Sequence, residues 1–152
     1  MGITAFLILD NRNGETSKLD RITYFAYNTG GWGECSNFPN YKIYEEENEY
    51  FFTYSDQCRN TTTIKEIVGR SVLDDVQTII KKYGAREWNG FNKRDDSVTD
   101  GDSFSLRIQY NSGAKVDTRG TNDFPDNYWD FDKEIKMYFS RLISNFEKSE
   151  VR

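Results

Sequence analysis

The chain has 152 residues, enough for one domain that buries roughly 70% of its unfolded surface, so neither disulfides nor a metal is needed to hold it together. It contains no histidine, which excludes Ser-His-Asp and Cys-His nucleophile activation, zinc sites of the HExxH type, and any unperturbed side chain titrating between pH 5 and 8. Twenty Lys and Arg stand against 25 Asp and Glu, a net charge of −5 that argues against general nucleic-acid binding and makes a basic protein partner the more natural one.

The apolar run Ile3 to Leu9 is too short to span a bilayer, lacks a charged leader and a cleavage pattern, and reads as a strand. Phe6 occupies the position where a myristoylation signal needs Ser or Thr. These features suit a cytoplasmic protein, or an exported or lipoprotein form whose leader has been removed. Turn formers at Asp10 to Gly14 precede a strand over Arg21 to Tyr27, which ends in a loop holding Gly30, Gly31 and Gly33. Thr29-Gly30-Gly31-Trp32-Gly33 lacks the Gly-Lys-Ser/Thr ending of a phosphate loop. It suits a flexible turn that displays Trp32 as a contact residue, or one that packs Trp32 into the core.

Tyr41 to Glu46 and Tyr50 to Ser55 alternate aromatic with polar residues around Glu47-Asn48-Glu49 and predict a hairpin, followed by a strand over Thr61 to Glu66. Glu45, Glu46, Glu47 and Glu49 cluster at its tip. An exposed tip offers no burial to split carboxyl pKa values for acid/base chemistry, so the cluster is a solvated acidic knob or a docking site for a basic partner. Cys35 and Cys58 have no CxxC spacing, which disfavours metal binding and leaves two free thiols or one cross-strand pair. Asn60-Thr61-Thr62 matches the glycosylation acceptor pattern at a specificity too loose to carry weight.

Val72, Leu73, Val76, Ile79, Ile80 and Tyr83 fall on one face of a helix, with Ser71 as the cap and Gly84 as the stop. After Trp88 comes the acidic loop Asp95 to Asp102. It fails the EF-hand pattern, because Val98 and Arg107 occupy ligand positions, and suits a solvated connector better than a cation site of another kind. Ser103 to Tyr110 alternates Phe104, Leu106, Ile108 and Tyr110 with Ser105, Arg107 and Gln109, then turns at Asn111-Ser112-Gly113 into a strand over Lys115 to Arg119. Asp126 or Asn127 caps a last helix with an apolar stripe from Phe131 to Phe146.

Strands, helix, hairpin and helix in that order predict a single α+β domain over 1–152: a curved antiparallel sheet of six to seven strands with two amphipathic helices on one face. Trp88-Asn89-Gly90-Phe91, Asp100-Gly101-Asp102-Ser103-Phe104-Ser105-Leu106, Tyr110, Ser112-Gly113, Gly120 and Phe124-Pro125-Asp126-Asn127-Tyr128 resemble an uncharacterised family of small bacterial proteins of the Firmicutes type. The resemblance is best over residues 88–128. Some members of that family carry export leaders; the resemblance implies no activity, ligand or catalytic residue. The same positions serve folding, Gly90 and Gly101 at turns of positive φ and Pro125 before a helix.

The sequence thus favours a non-catalytic interaction factor, such as an inhibitor, immunity or accessory protein, that binds a partner through an acidic, aromatic surface rich in tyrosine and needs no cofactor. A small-ligand binder with an aromatic-lined pocket near Trp88, Phe91 and Tyr110 is the alternative. A carboxylate enzyme centred on Asp100, Asp102, Arg107 or Arg119 ranks third. If Arg107 and Arg119 pair with Asp117 on an exposed sheet face, they are cross-strand charge pairs. Exposed strand edges leave a homodimer open.

Overall fold

A computed structural model describes residues 20–31, 39–56, 61–98 and 101–150. The elements, in chain order, are β1 (Ile22–Gly31), β2 (Pro39–Glu46), β3 (Glu49–Asp56), β4 (Thr61–Val68), α1 (Arg70–Tyr83), a 3₁₀ turn (Ala85–Trp88), β5 (Asn92–Arg94), β6 (Asp102–Tyr110), β7 (Lys115–Thr121) and α2 (Tyr128–Glu150). The strands form one open seven-stranded sheet in the order β4-β3-β2-β1-β6-β7-β5. With two helices this is the expected α+β fold, but the sheet is mixed, since β5 runs parallel to β7 while every other pairing is antiparallel.

The parallel edge has a local cause. Asn89 to Phe91 are already pinned alongside β7: Gly90 N–H donates to Asp117 O at 3.1 Å, Arg119 N–H to Phe91 O at 3.0 Å, and Asp117 N–H to Asn89 Oδ1 at 2.9 Å. The chain leaves the 3₁₀ turn along the free edge of β7 in the same direction as β7, then crosses back to start β6. The periodicity of three exposed residues, Asn92, Lys93 and Arg94, carries no strand signal. The expected strand Ile3 to Leu9 and the thiols Cys35 and Cys58 lie outside the described residues.

β1 is longer than its sequence suggested. Gly30 and Gly31 do not end it but pair with Ser103 and Asp102 as its last two residues. The β2–β3 turn is tighter than a three-residue one: Glu49 belongs to β3, and Glu47 and Asn48 make a two-residue turn with φ of 52° and 66°. Two left-handed residues match the right-handed twist of the flanking strands.

Helix α1 begins at Arg70 with Gly69 at its N-cap and no side-chain cap, which corrects the assignment of Ser71. Asp74 accepts instead from the guanidinium groups of Arg21 and Arg70, at 2.8 and 3.2 Å. Gly84 ends the helix in the left-handed conformation as expected. Gly90 and Gly113 also hold positive φ, whereas Gly101 does not: a Cβ there would collide with the Asn122 amide, so close packing explains that glycine. Asn127 carries the N-cap role of α2 through its carbonyl, which accepts from Phe131 N–H at 3.1 Å, although its φ is 67°.

Both helices cover one face of the sheet. Phe25, Tyr27, Ile43, Phe52, Leu106 and Ile108 meet Leu73, Val76 and Ile80 of α1 and Phe131, Ile135 and Phe139 of α2, all essentially inaccessible. Phe139 stacks on Tyr41 at 4.6 Å and on Phe52 at 5.3 Å between centroids, so this part of α2 lies over β2 and β3, while Tyr128 at its start meets Phe104 of β6 at 4.5 Å. Each such aromatic contact adds about 1 kcal/mol beyond area burial. No helix among the described residues is long and apolar enough to cross a membrane.

Candidate functional site

One polar cluster lies under the helices. Tyr27 Oη of β1 donates to Asp132 Oδ1 of α2 at 2.6 Å and accepts from Tyr128 Oη at 2.8 Å, while Lys136 Nζ closes on Asp132 at 2.9 Å. Burial pushes the phenols of Tyr27 and Tyr128 well above their ordinary range, so both stay protonated at neutral pH. They serve as donors that dock α2 on the sheet. Nearby, Gln77 of α1 is buried and satisfied on both sides, accepting from Ile22 N–H at 3.1 Å and donating to Asp20 O at 3.0 Å.

The residues singled out from sequence are dispersed. Trp32 and Asp100 lie outside the described residues. Glu45, Glu46, Glu47 and Glu49 are all exposed around the β2–β3 turn, where Glu46 and Glu49 sit opposite each other. Asp102 is exposed at the start of β6, and Tyr110 is buried at its far end with the Arg86 guanidinium 4.5 Å from its ring centroid. Trp88 is only 7% exposed and meets Phe131 edge-on at 5.2 Å; with half-buried Phe91 and Phe124 it borders a surface cleft of about 700 Å³. Tyr110 is not among the walls of that cleft, so the three aromatics do not enclose one pocket. Among the described residues no cluster of three or more Asp, Glu or Cys is placed to hold a metal ion.

The sheet face away from the helices carries side chains in ordered rows. Because successive residues of a strand point to opposite faces, the alternation that buries Phe25, Tyr27, Ile43, Phe52, Leu106 and Ile108 sends their neighbours outward. The strand register sorts these into three rows across the sheet. The middle row is Lys65, Thr53, Lys42, Ala26, Arg107 and Asp117, each directly opposite the next. One step along the strands lies a row of amides and hydroxyls broken by one cation: Ser55, Asn40, Asn28, Ser105, Arg119 and Asn92. One step the other way lie Ile67, Phe51 and Tyr44, continued by Tyr24 and Gln109.

The small side chains of Ala26, Gly30 and Thr53 leave a groove of about 580 Å³ on this face, walled by Tyr24, Lys42 and Arg107. The lysines lean over the aromatic row: Lys42 Nζ is 5.2 Å from the Tyr44 centroid and 5.9 Å from that of Tyr24, and Lys65 Nζ is 4.7 Å from that of Phe51. Arg107 and Arg119 share Asp117 at 3.9 and 4.0 Å with their side chains more than half exposed. Of the two, Arg107–Asp117 is the cross-strand pair anticipated from sequence, while Arg119 and Asp117 are two residues apart on β7; loose exposed pairs of this kind contribute about 0–1 kcal/mol. A chain of net charge −5 thus presents a cationic and aromatic sheet face.

None of Lys42, Lys65, Tyr24 or Asn28 was visible as a site residue from sequence. Strand alternation gives each one's face, but the rows exist only once the cross-strand register is known. No protein-family model matches the chain, and no curated protein is significantly similar to it.

Proposed function

We propose that the protein is a non-catalytic interaction factor that docks a protein partner on the helix-free face of its sheet. The observation that supports this reading is the ordered face itself: exposed cations between rows of half-buried aromatics and amides, on a sheet whose opposite side is the core. Aromatic and arginine side chains are the usual anchors of interfaces. The acidic turn at Glu45 to Glu49 stands at one end of the same face and repels wrong partners or orients the right one. Kinship with the small bacterial proteins that residues 88–128 resemble belongs to the same proposal and adds no chemistry to it.

The test is capture of partners by the tagged protein, by a face variant (Lys42→Glu with Arg107→Glu) and by a turn variant (Glu46→Lys with Glu49→Lys). A protein retained by the wild type and the turn variant but lost by the face variant supports the reading. Retention of the same partner by the face variant, or no partner at micromolar protein in both low and moderate salt, sinks it.

A further inference from the structure

The cations of the middle row are regularly spaced. Lys65 is on β4, Lys42 on β2 and Arg107 on β6, and β3 and β1 lie between them. Strands in a sheet lie about 4.8 Å apart, so these three cationic residues are rooted at intervals of roughly 10 Å across the sheet. Between them sit only Thr53 and Ala26, so nothing tall interrupts the row. Along one side runs the aromatic row of Phe51, Tyr44 and Tyr24, and along the other the hydrogen-bonding row of Ser55, Asn40, Asn28 and Ser105.

A polypeptide in the polyproline II conformation has three residues per turn and a rise of about 3.1 Å, so side chains at every third position line one edge about 9.3 Å apart. This matches the spacing at which the three cationic residues are rooted to within about an ångström over each interval. Such helices dock on aromatic-lined surfaces, and their backbone carbonyls, unpaired internally, accept hydrogen bonds from side-chain amides and hydroxyls.

Resting on the reading above, we infer that the partner segment is an acidic polyproline II stretch that lies across the strands with Asp or Glu at every third residue over Lys65, Lys42 and Arg107. A long nucleic-acid strand fits the surroundings less well. Its phosphates follow each other more closely than the row does, so most of them would meet no cation.

The experiment measures fluorescence anisotropy of the whole chain with three labelled probes of equal charge: a peptide of Glu-Pro-Pro repeats, a peptide of the same composition with its glutamates contiguous, and a single-stranded oligothymidylate. The expected result is preferential binding of the Glu-Pro-Pro peptide, weakened roughly tenfold or more by Lys42→Ala with Arg107→Ala and falling with salt as charge pairing requires. Unchanged circular dichroism and thermal unfolding of the double variant keep that loss from being a folding defect. Equal binding of the contiguous peptide overturns the spacing, and equal or tighter binding of the oligonucleotide overturns the partner class. If no peptide binds although a partner is still lost by the face variant in the capture experiment, this inference fails and the docking face stands.

Discussion

Tyr27 and Asp132 meet at 2.6 Å beneath the helix layer, joining the central strand to the second turn of the last helix across 105 positions of sequence. The phenol donates to the carboxylate and accepts from Tyr128, and both tyrosines are buried, so its removal leaves both partners incompletely satisfied. A buried polar group deprived of its partner costs about 1–3 kcal/mol. Tyr27→Phe should therefore lower stability by that amount in urea unfolding. Tyr27→Phe combined with Tyr128→Phe should cost less than the sum of the two single changes, because the hydroxyls depend on each other. Additive losses would mean that the two phenols act independently.

Acid should act through the carboxylates that tie the first strand to the first helix. Asp74 is exposed; what desolvation it has favours its protonated form, but the hydrogen bonds and charges of Arg21 and Arg70 outweigh this and hold its carboxyl below the usual range. The Arg86 hydrogen bond does the same for Asp20. A carboxyl depressed in the folded state contributes stability that is fully present above its unfolded value, about 4, and is lost as pH falls through the folded value. The unfolding midpoint should stay level from neutral pH to about 5 and drop below about 4, with a shallower drop in Asp74→Asn. Parallel acid profiles for the two proteins would show that Asp74 carries no part of the transition.

Gly120 sits where its neighbours leave no room. A Cβ there would stand 2.1 Å from the Asp123 carbonyl oxygen and 2.8 Å from the Phe104 ring, and a backbone atom cannot swing aside as a long side chain would. Gly120→Ala is expected to cost roughly 1–3 kcal/mol as overpacking. Gly69→Ala serves as the control, since its nearest contact is an ordinary 3.6 Å to Ser71 Oγ. A Gly120→Ala protein melting at the wild-type temperature would mean that the segment after β7 yields easily.

The turn between β2 and β3 is suboptimal for its shape. Glu47 and Asn48 both hold positive φ, and a side chain like that of Glu47 strains there by about 1–2 kcal/mol. Replacing Glu47-Asn48 by Asn-Gly, the pair this geometry prefers, should stabilise the protein by about 1 kcal/mol, read as a raised unfolding midpoint at constant slope. A lowered midpoint would show that the carboxylate at position 47 contributes more than its strain costs.

How far the sequence reveals this architecture depends on distance along the chain. The alternation of Phe104, Leu106, Ile108 and Tyr110, the stripe of α1 and the hairpin around Glu47 are all local patterns, and each element was legible within a few residues of its observed bounds. The register of that hairpin was not: a three-residue turn would set Tyr44 opposite Phe52, whereas the two-residue turn sets Tyr44 opposite Phe51 and Lys42 opposite Thr53. The neighbour of β1 was not legible. β1 pairs with β6, and a shift of register between Ile22 and Tyr24 defeats any attempt to extrapolate the rows from alternation alone. Arg107 therefore joined the lysines only in three dimensions. The short β5 was invisible because its place is set by backbone bonds to β7.

The pairing of β1 with β6 also governs how the molecule comes together. β1 to β4 form by successive neighbour contacts, and β6 with β7 is a simple hairpin, but the seam between them joins Thr23 to Gln109, 86 positions apart. Both helices close over that seam, so neither half has a finished core without the other. Closing so long a loop before its contacts are rewarded is slow, which places refolding in the range of milliseconds to seconds. The β1–β4 meander and the β6–β7 hairpin should therefore gain their protection from hydrogen exchange together, in one cooperative step.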